Sequence, residues 1–225
     1  VKSRRSHSFP ILPGILVALF VLPILFSAPI VTGLARLAGL TPTRVELIPL
    51  TPQNVQHYLH VYPALSAGKL AGNTPYRTYA FTDHIYAMAN HFYISAELGY
   101  GGYSYALLRA RAFIPTDQET FHWYFDGQTL TWQIQSVANG LFLSTEKRNQ
   151  GSSYAQLRAR ASPDHVFGYE QFYLYYDRAT QEDVLQSAIN HLFVSVELGY
   201  SGGNYALLRA RTSETALSTW EQFLV

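Results

Sequence analysis

Asn90-His91-Phe92-Tyr93-Ile94-Ser95-Ala96-Glu97 returns as Asn139-Gly140-Leu141-Phe142-Leu143-Ser144-Thr145-Glu146 and again as Asn190-His191-Leu192-Phe193-Val194-Ser195-Val196-Glu197. Each copy is followed by Leu-Arg-Ala-Arg, at 108–111, 157–160 and 208–211. The Asn intervals are 49 and 51 residues, and the Arg pairs keep them, so one unit of about 50 residues recurs three times. A fixed period dictates architecture, because such a unit cannot bury its apolar face alone.

Four short strands are legible in each unit. The first is 85–88, 134–137 and 185–188, and the second is 92–97, 141–146 and 192–197. In the third (105–112, 154–161 and 205–212), Leu108, Ala110 and Ala112 alternate with Arg109 and Arg111, the pattern of a half-buried strand. The fourth runs from Phe121 through Trp123 to Phe125, with counterparts at 170–175 and 221–225. Twelve strands in three copies need closure, since open edges invite aggregation. A propeller wants at least about four blades. The predicted fold is therefore all-β, a β-trefoil over 77–225. An aromatic share of 15% against 14% charged residues suits that class.

Ahead of the repeats, Lys2, Arg4 and Arg5 precede an uncharged apolar run from Phe9 to Leu34. It reads as a hydrophobic helix over 1–35, either a signal anchor or a signal peptide. The length favours a transmembrane anchor, whereas Pro10, Pro13, Pro23, Pro29 and the small residues of Gly33-Leu34-Ala35 favour cleavage. Either way, the expectation is a trefoil outside the cytoplasm, membrane-anchored through residues 9–34 or secreted. Residues 36–76 hold five prolines among Thr, Ala, Gly and Leu and read as a linker. His57 and His60 within it lack a third ligand, so no metal site is expected.

The motif Asn-x-x-Phe/Tyr-x-Ser-x-Glu, then Leu-Arg-Ala-Arg, then Trp220-Glu221-Gln222-Phe223, resembles the fascin-like β-trefoils, in particular single-trefoil modules of exported bacterial proteins. The resemblance spans about two thirds of the chain and implies the fold rather than a ligand. Fascin bundles actin through several trefoils. One trefoil does not carry that activity over.

Candidate chemistry lies in the second-to-third strand connections, 98–104 and 198–204, whose glycines permit tight loops. Tyr100, Tyr103 and Tyr200 offer aromatic faces to a sugar ring, and Ser104 and Asn204 offer hydrogen bonds. The competing reading is that these tyrosines only cover their own hairpins. If copies one and three bind and copy two, with Lys147-Arg148-Asn149-Gln150, does not, the module is bivalent. The arginines at 109, 111, 158, 160, 209 and 211 read either as an anion-binding surface or as cross-strand partners of Glu97, Glu146 and Glu197, the simpler account.

No nucleophile–base pair, carboxylate pair or histidine cluster stands out, and His91 and His191 simply share a repeat position. A net charge of +1 gives no pull towards nucleic acid, and the absence of cysteine excludes thiol chemistry. Nothing implies a cofactor. The sequence thus predicts a non-catalytic extracellular module binding a polysaccharide or glycan through its hairpin loops. The alternatives are a structural or protein-interaction module at the cell surface, and a hydrolase inhibitor using the irregular loop 114–120.

Overall fold

The computed structural model describes residues 46–55 and 76–225. The chain divides into two units, Val1–Thr41 and Pro42–Val225, and the first lies outside the described residues. Fourteen strands among the described residues form one sheet: β1 (Leu47–Pro49), β2 (Arg77–His84), β3 (Tyr86–Ala87), β4 (Phe92–Glu97), β5 (Leu107–Ala112), β6 (Thr120–Asp126), β7 (Thr131–Ser136), β8 (Phe142–Thr145), β9 (Leu157–Ala161), β10 (Phe172–Asp177), β11 (Glu182–Ser187), β12 (Phe193–Glu197), β13 (Leu207–Thr212) and β14 (Phe223–Leu224). The order β10-β11-β14-β3-β4-β5-β9-β8-β7 closes on itself where Phe172 of β10 meets Trp132 of β7, giving a barrel-like sheet in a trefoil-like arrangement.

Three antiparallel hairpins, β4–β5, β8–β9 and β12–β13, repeat the same geometry. Each carries an irregularity at one place, between Tyr93 and Ile94, Phe142 and Leu143, or Phe193 and Val194, where the extra residue bends the strand around the barrel. The recurrent Asn anchors each bend: Asn90, Asn139 and Asn190 donate from Nδ2 to the carbonyls of Ala110, Ala159 and Ala210 at 2.9, 2.9 and 2.8 Å. The repeat motif is therefore first a device for folding.

The hairpins meet around a common axis. Leu107 bridges Arg158, Leu207 bridges Arg109, and Gln156 bridges Arg209, so each third strand touches the other two. Ala106, Ala155 and Ala206 are buried and left-handed, with φ of 58°, 54° and 58°. Their carbonyls accept from Ala159, Ala210 and Ala110 amides at 2.9 Å. Left-handed backbone costs an alanine about 1–2 kcal/mol, which this closed ring of hydrogen bonds offsets.

Inside the barrel, Ile85, Trp123, Leu143, Leu174, Leu185, Val194, Leu208 and Phe223 leave only about 10 Å³ empty, so the interior is packed and not a ligand chamber. Trp132 sits beside Trp123 (6.1 Å between centroids) and donates from Nε1 to the Leu50 carbonyl at 2.8 Å. That contact explains β1, a strand inside the segment read as a linker. Leu47–Pro49 pairs with Tyr175–Asp177, and Leu50 and Val55 are buried. A three-residue edge strand that includes a proline leaves no periodic signal.

The third strands also differ from the half-buried expectation. Leu107 to Ala110 are buried on both faces, because the side away from the barrel packs against the neighbouring hairpin.

The membrane expectation is corrected. Among the described residues no helix is long and apolar enough to cross a membrane. Residues 9–34, proposed above as a signal anchor or transmembrane segment, lie outside the described residues, as do His57 and His60. A membrane partner and a membrane-anchored localisation are not carried further.

Candidate functional site at the hairpin cap

The loops joining the paired strands of the cap are single 3-10 turns at equivalent places, Gly102–Ser104, Gly151–Ser153 and Gly202–Asn204. Each begins on a glycine with φ of 59°, 59° or 60°, a conformation that a side chain would strain. A rigid turn thus presents Tyr103 and Ser104 from copy one, Ser153 from copy two and Asn204 from copy three.

These loops surround a cavity of about 460 Å³ lined by Tyr103, Ser104, Asn149, Gln150, Asn204 and Arg109, with Leu107, Ser153, Gln156 and Gly203 completing the wall. The structure therefore brings together three of the five residues singled out in the sequence, Tyr103, Ser104 and Asn204, across 101 residues of chain. Tyr103 is 88% exposed, with its ring uncommitted to the core. Copy two, without a tyrosine in its loop, contributes amide and hydroxyl groups instead.

Tyr100 and Tyr200 lie outside that lining. Each sits against an arginine: the Arg109 guanidinium is 5.9 Å from the Tyr100 ring centroid, and those of Arg209 and Arg211 are 5.4 and 5.5 Å from that of Tyr200. Arg211 also donates to the Tyr200 hydroxyl at 3.3 Å. They remain 50% and 39% exposed.

The six arginines divide into two sets. The first of each pair, Arg109, Arg158 and Arg209, is buried, while the second, Arg111, Arg160 and Arg211, is partly exposed and ion-paired to Glu97, Glu146 and Glu197. Arg109 pairs with Glu97 as well and reaches the Gly203 carbonyl of copy three. Arg158 donates to Tyr105 and Gly102 carbonyls of copy one, at 2.8 and 3.2 Å from Nη2. Arg109 and Arg158 thus fasten loops of neighbouring copies, a role invisible in sequence because donor and acceptor lie in different copies.

Burial raises the carboxyl pKa of Glu146 and Glu197, with Arg160 and Arg211 pulling the other way. Burial also lowers the pKa of Arg158 and Arg209.

Three further carboxylates were missed. Glu119, Glu170 and Glu221 accept backbone amides from Thr116, Phe167 and Ser218 at 2.8 Å, capping the turn before each last strand. The signal was present as Glu-x-Phe at 119–121, 170–172 and 221–223.

A second cavity of about 290 Å³ belongs to copy two alone and is lined by Glu146, Lys147, Arg148, Arg160, Tyr169 and Glu170 among others. Its cations are already engaged: Lys147 with the Ile189 carbonyl at 2.9 Å, Arg148 with the Tyr169 hydroxyl at 3.1 Å, and Arg160 with Glu146. Among the described residues no group of three or more His, Asp or Glu side chains is placed to hold a metal.

A closed three-copy sheet with its polar cavity at the cap defines a trefoil-type module. No protein-family model and no curated protein matches the chain. Among solved structures, it is similar to a mosquitocidal holotoxin (TM-score 0.53, 11% identity, covering 64% of this chain and 17% of that one). It is also similar to ThreeFoil, a designed 3-fold symmetric protein (TM-score 0.51, 11% identity, covering 64% of this chain and 96% of that one). The ricin B-like lectin of Macrolepiota procera, solved in complex with lactose, matches at TM-score 0.47 and 12% identity, over 64% of this chain and 93% of that one. Identities this low speak to fold alone, and the first two matches agree with the threefold arrangement. The fascin-like group in particular is not singled out.

Proposed function

We propose that the chain is a non-catalytic binding module whose cap cavity takes a carbohydrate. The observation that carries this reading is the convergence of Tyr103, Ser104 and Asn204 with the copy-two loop around one polar cavity of about 460 Å³. That size falls within the range of about 300–1,000 Å³ usual for small-ligand sites, and an exposed aromatic ring among fixed polar groups suits sugar recognition. Tyr103 supplies stacking, and Ser104, Asn204, Asn149 and Gln150 supply hydrogen bonds. Tyr100 and Tyr200 flank the site and steady the arginines beneath it. Within trefoil folds, the Asn-to-Glu motif and the Leu-Arg-Ala-Arg run favour a fascin-like single module.

The test is a glycan-array and insoluble-polysaccharide screen of the full chain beside Tyr103→Ala/Asn204→Ala and Tyr100→Ala/Tyr200→Ala. Loss of binding in the first double variant supports the axial cavity. Loss only in the second moves the site to the flanking tyrosines. An array without a single positive sinks the carbohydrate reading. One observation favours the hydrolase-inhibitor alternative: Ile114, which opens the 114–120 loop, and the preceding Phe113 are 69% and 80% exposed. Inhibition across a protease panel, lost in Ile114→Ser, would establish it.

A further inference from the structure

We infer that the cap cavity selects a saccharide carrying an anionic group, read at a chain end; this rests on the carbohydrate reading above. The first ground is charge. Each copy sets two arginines against one glutamate, and copy two adds Lys147 and Arg148. The cap segments 92–112, 142–161 and 193–212 therefore hold eight of the ten Lys and Arg among the described residues but only three of fifteen carboxylates. Elsewhere in the described residues, Arg77 and Arg178 stand against twelve carboxylates. Among the described residues, positive charge is therefore concentrated at the cap.

The second ground is unspent hydrogen-bonding capacity. Arg109 lines the cavity and is 4% exposed, yet its Nε has no hydrogen-bond partner among the described residues. Arg209, behind the lining, is 1% exposed, pairs with the cavity residue Gln156 through the backbone, and leaves both Nε and Nη2 without hydrogen-bond partners among the described residues. A buried guanidinium N–H group without a partner is costly, and an anionic oxygen drawn to Arg109 in the cavity wall offsets part of that cost. The copy-two cavity has no such surplus, because its cations are already partnered.

A long polyanion crossing the cap would run onto the acidic remainder of the domain, so a terminal acidic sugar fits better than an extended acidic polymer. Carboxylate and sulfate share the chemistry.

The experiment titrates the full chain with matched pairs of methyl glycosides. Each of glucose, galactose and mannose is offered neutral, as the uronic acid and as the 6-sulfate, at about 50 and about 300 mM salt. Inorganic sulfate and a single-stranded oligonucleotide are controls. The inference expects at least one acidic member to bind about tenfold or more tighter than its neutral twin at low salt, with the gap narrowing at high salt. Asn204→Asp, which adds a charge to the cavity at nearly constant shape, should lower that acid-to-neutral ratio at least about threefold. Equal binding within every pair overturns the inference and leaves the carbohydrate reading standing. No binding by any sugar overturns both. Inorganic sulfate binding as tightly as the acidic sugar reduces the site to a simple anion site. An oligonucleotide that outcompetes every sugar replaces the saccharide with nucleic acid.

Discussion

Replacing Arg158 with methionine is the sharpest probe of how the cap is held. The guanidinium is buried and gives Tyr105 O bonds of 3.0 and 2.8 Å and Gly102 O one of 3.2 Å, tying the copy-two strand to the copy-one loop. Hydrogen bonds from a charged donor contribute about 1.5–3 kcal/mol each, and two acceptor carbonyls lose their partner, which sets a gross loss of about 3–6 kcal/mol. Met preserves most of the volume and escapes the desolvation that depresses the Arg158 pKa, returning about 1–2 kcal/mol. The net expectation is about 2–4 kcal/mol, a fall of roughly 4–16 °C in Tm for a domain of this size. Urea denaturation measures it. Amide exchange locates it, because Ser104 and Tyr105 N–H groups, bonded to Gly101 and Gly102 carbonyls at 3.3 Å, should lose protection first. Arg158→Lys keeps the charge without the fork and should fall between wild type and Met. A Met variant within about 0.5 kcal/mol of wild type, with unchanged exchange over 102–105, would refute the clamp.

Other perturbations follow the same geometry. Asn139→Ala removes the bond to Ala159 O and the acceptor for Leu141 N–H at 3.0 Å, so calorimetry should show a loss of about 1–3 kcal/mol. Glu221 accepts from Ser218 N, Ser218 Oγ and Thr212 Oγ1, whereas among the described residues Glu170 accepts only from Phe167 N. Glu221→Ala should therefore cost about 1 kcal/mol more than Glu170→Ala, and equal losses in urea melts would remove the caps from the account. Asp183 is buried with one hydrogen bond, from Val225 N, and burial raises its pKa well above the usual carboxylate range. Its folded form holds the proton more tightly, so its contribution is most favourable below the unfolded value of about 3.9 and is lost as pH rises to the folded value. Asp183→Asn should raise Tm at pH 7 and flatten that slope; a lower Tm at pH 7 would contradict the sign.

The sequence disclosed what repeats and concealed what meets. Asn90, Asn139 and Asn190, the arginine pairs and the glutamates were legible because each recurs at one register, and a repeated residue marks a repeated packing need. Alternation separated Leu108 from Arg109 but could not show that Arg109 is buried too, since its cover comes from a different copy. Tyr103 and Asn204 were legible as loop residues, but their shared cavity was not, because pseudo-threefold closure brings them together and no local pattern encodes it. β1 went unread because three residues carry no period, and its register depends on Trp132 holding Leu50 some 82 residues away. The capping glutamates do recur at one register as Glu-x-Phe, but their role depends on a turn that bends each carboxylate back to an amide three residues earlier.

The most direct test of the central claim is amide chemical-shift mapping on the full chain with a sugar identified by the glycan screen. The account predicts that titration moves the amides of 102–104, 149–153 and 202–204 together, along one binding curve with a stoichiometry of about one. Shifts confined to one loop, spread over 113–120, or following two separate curves would contradict a single axial site.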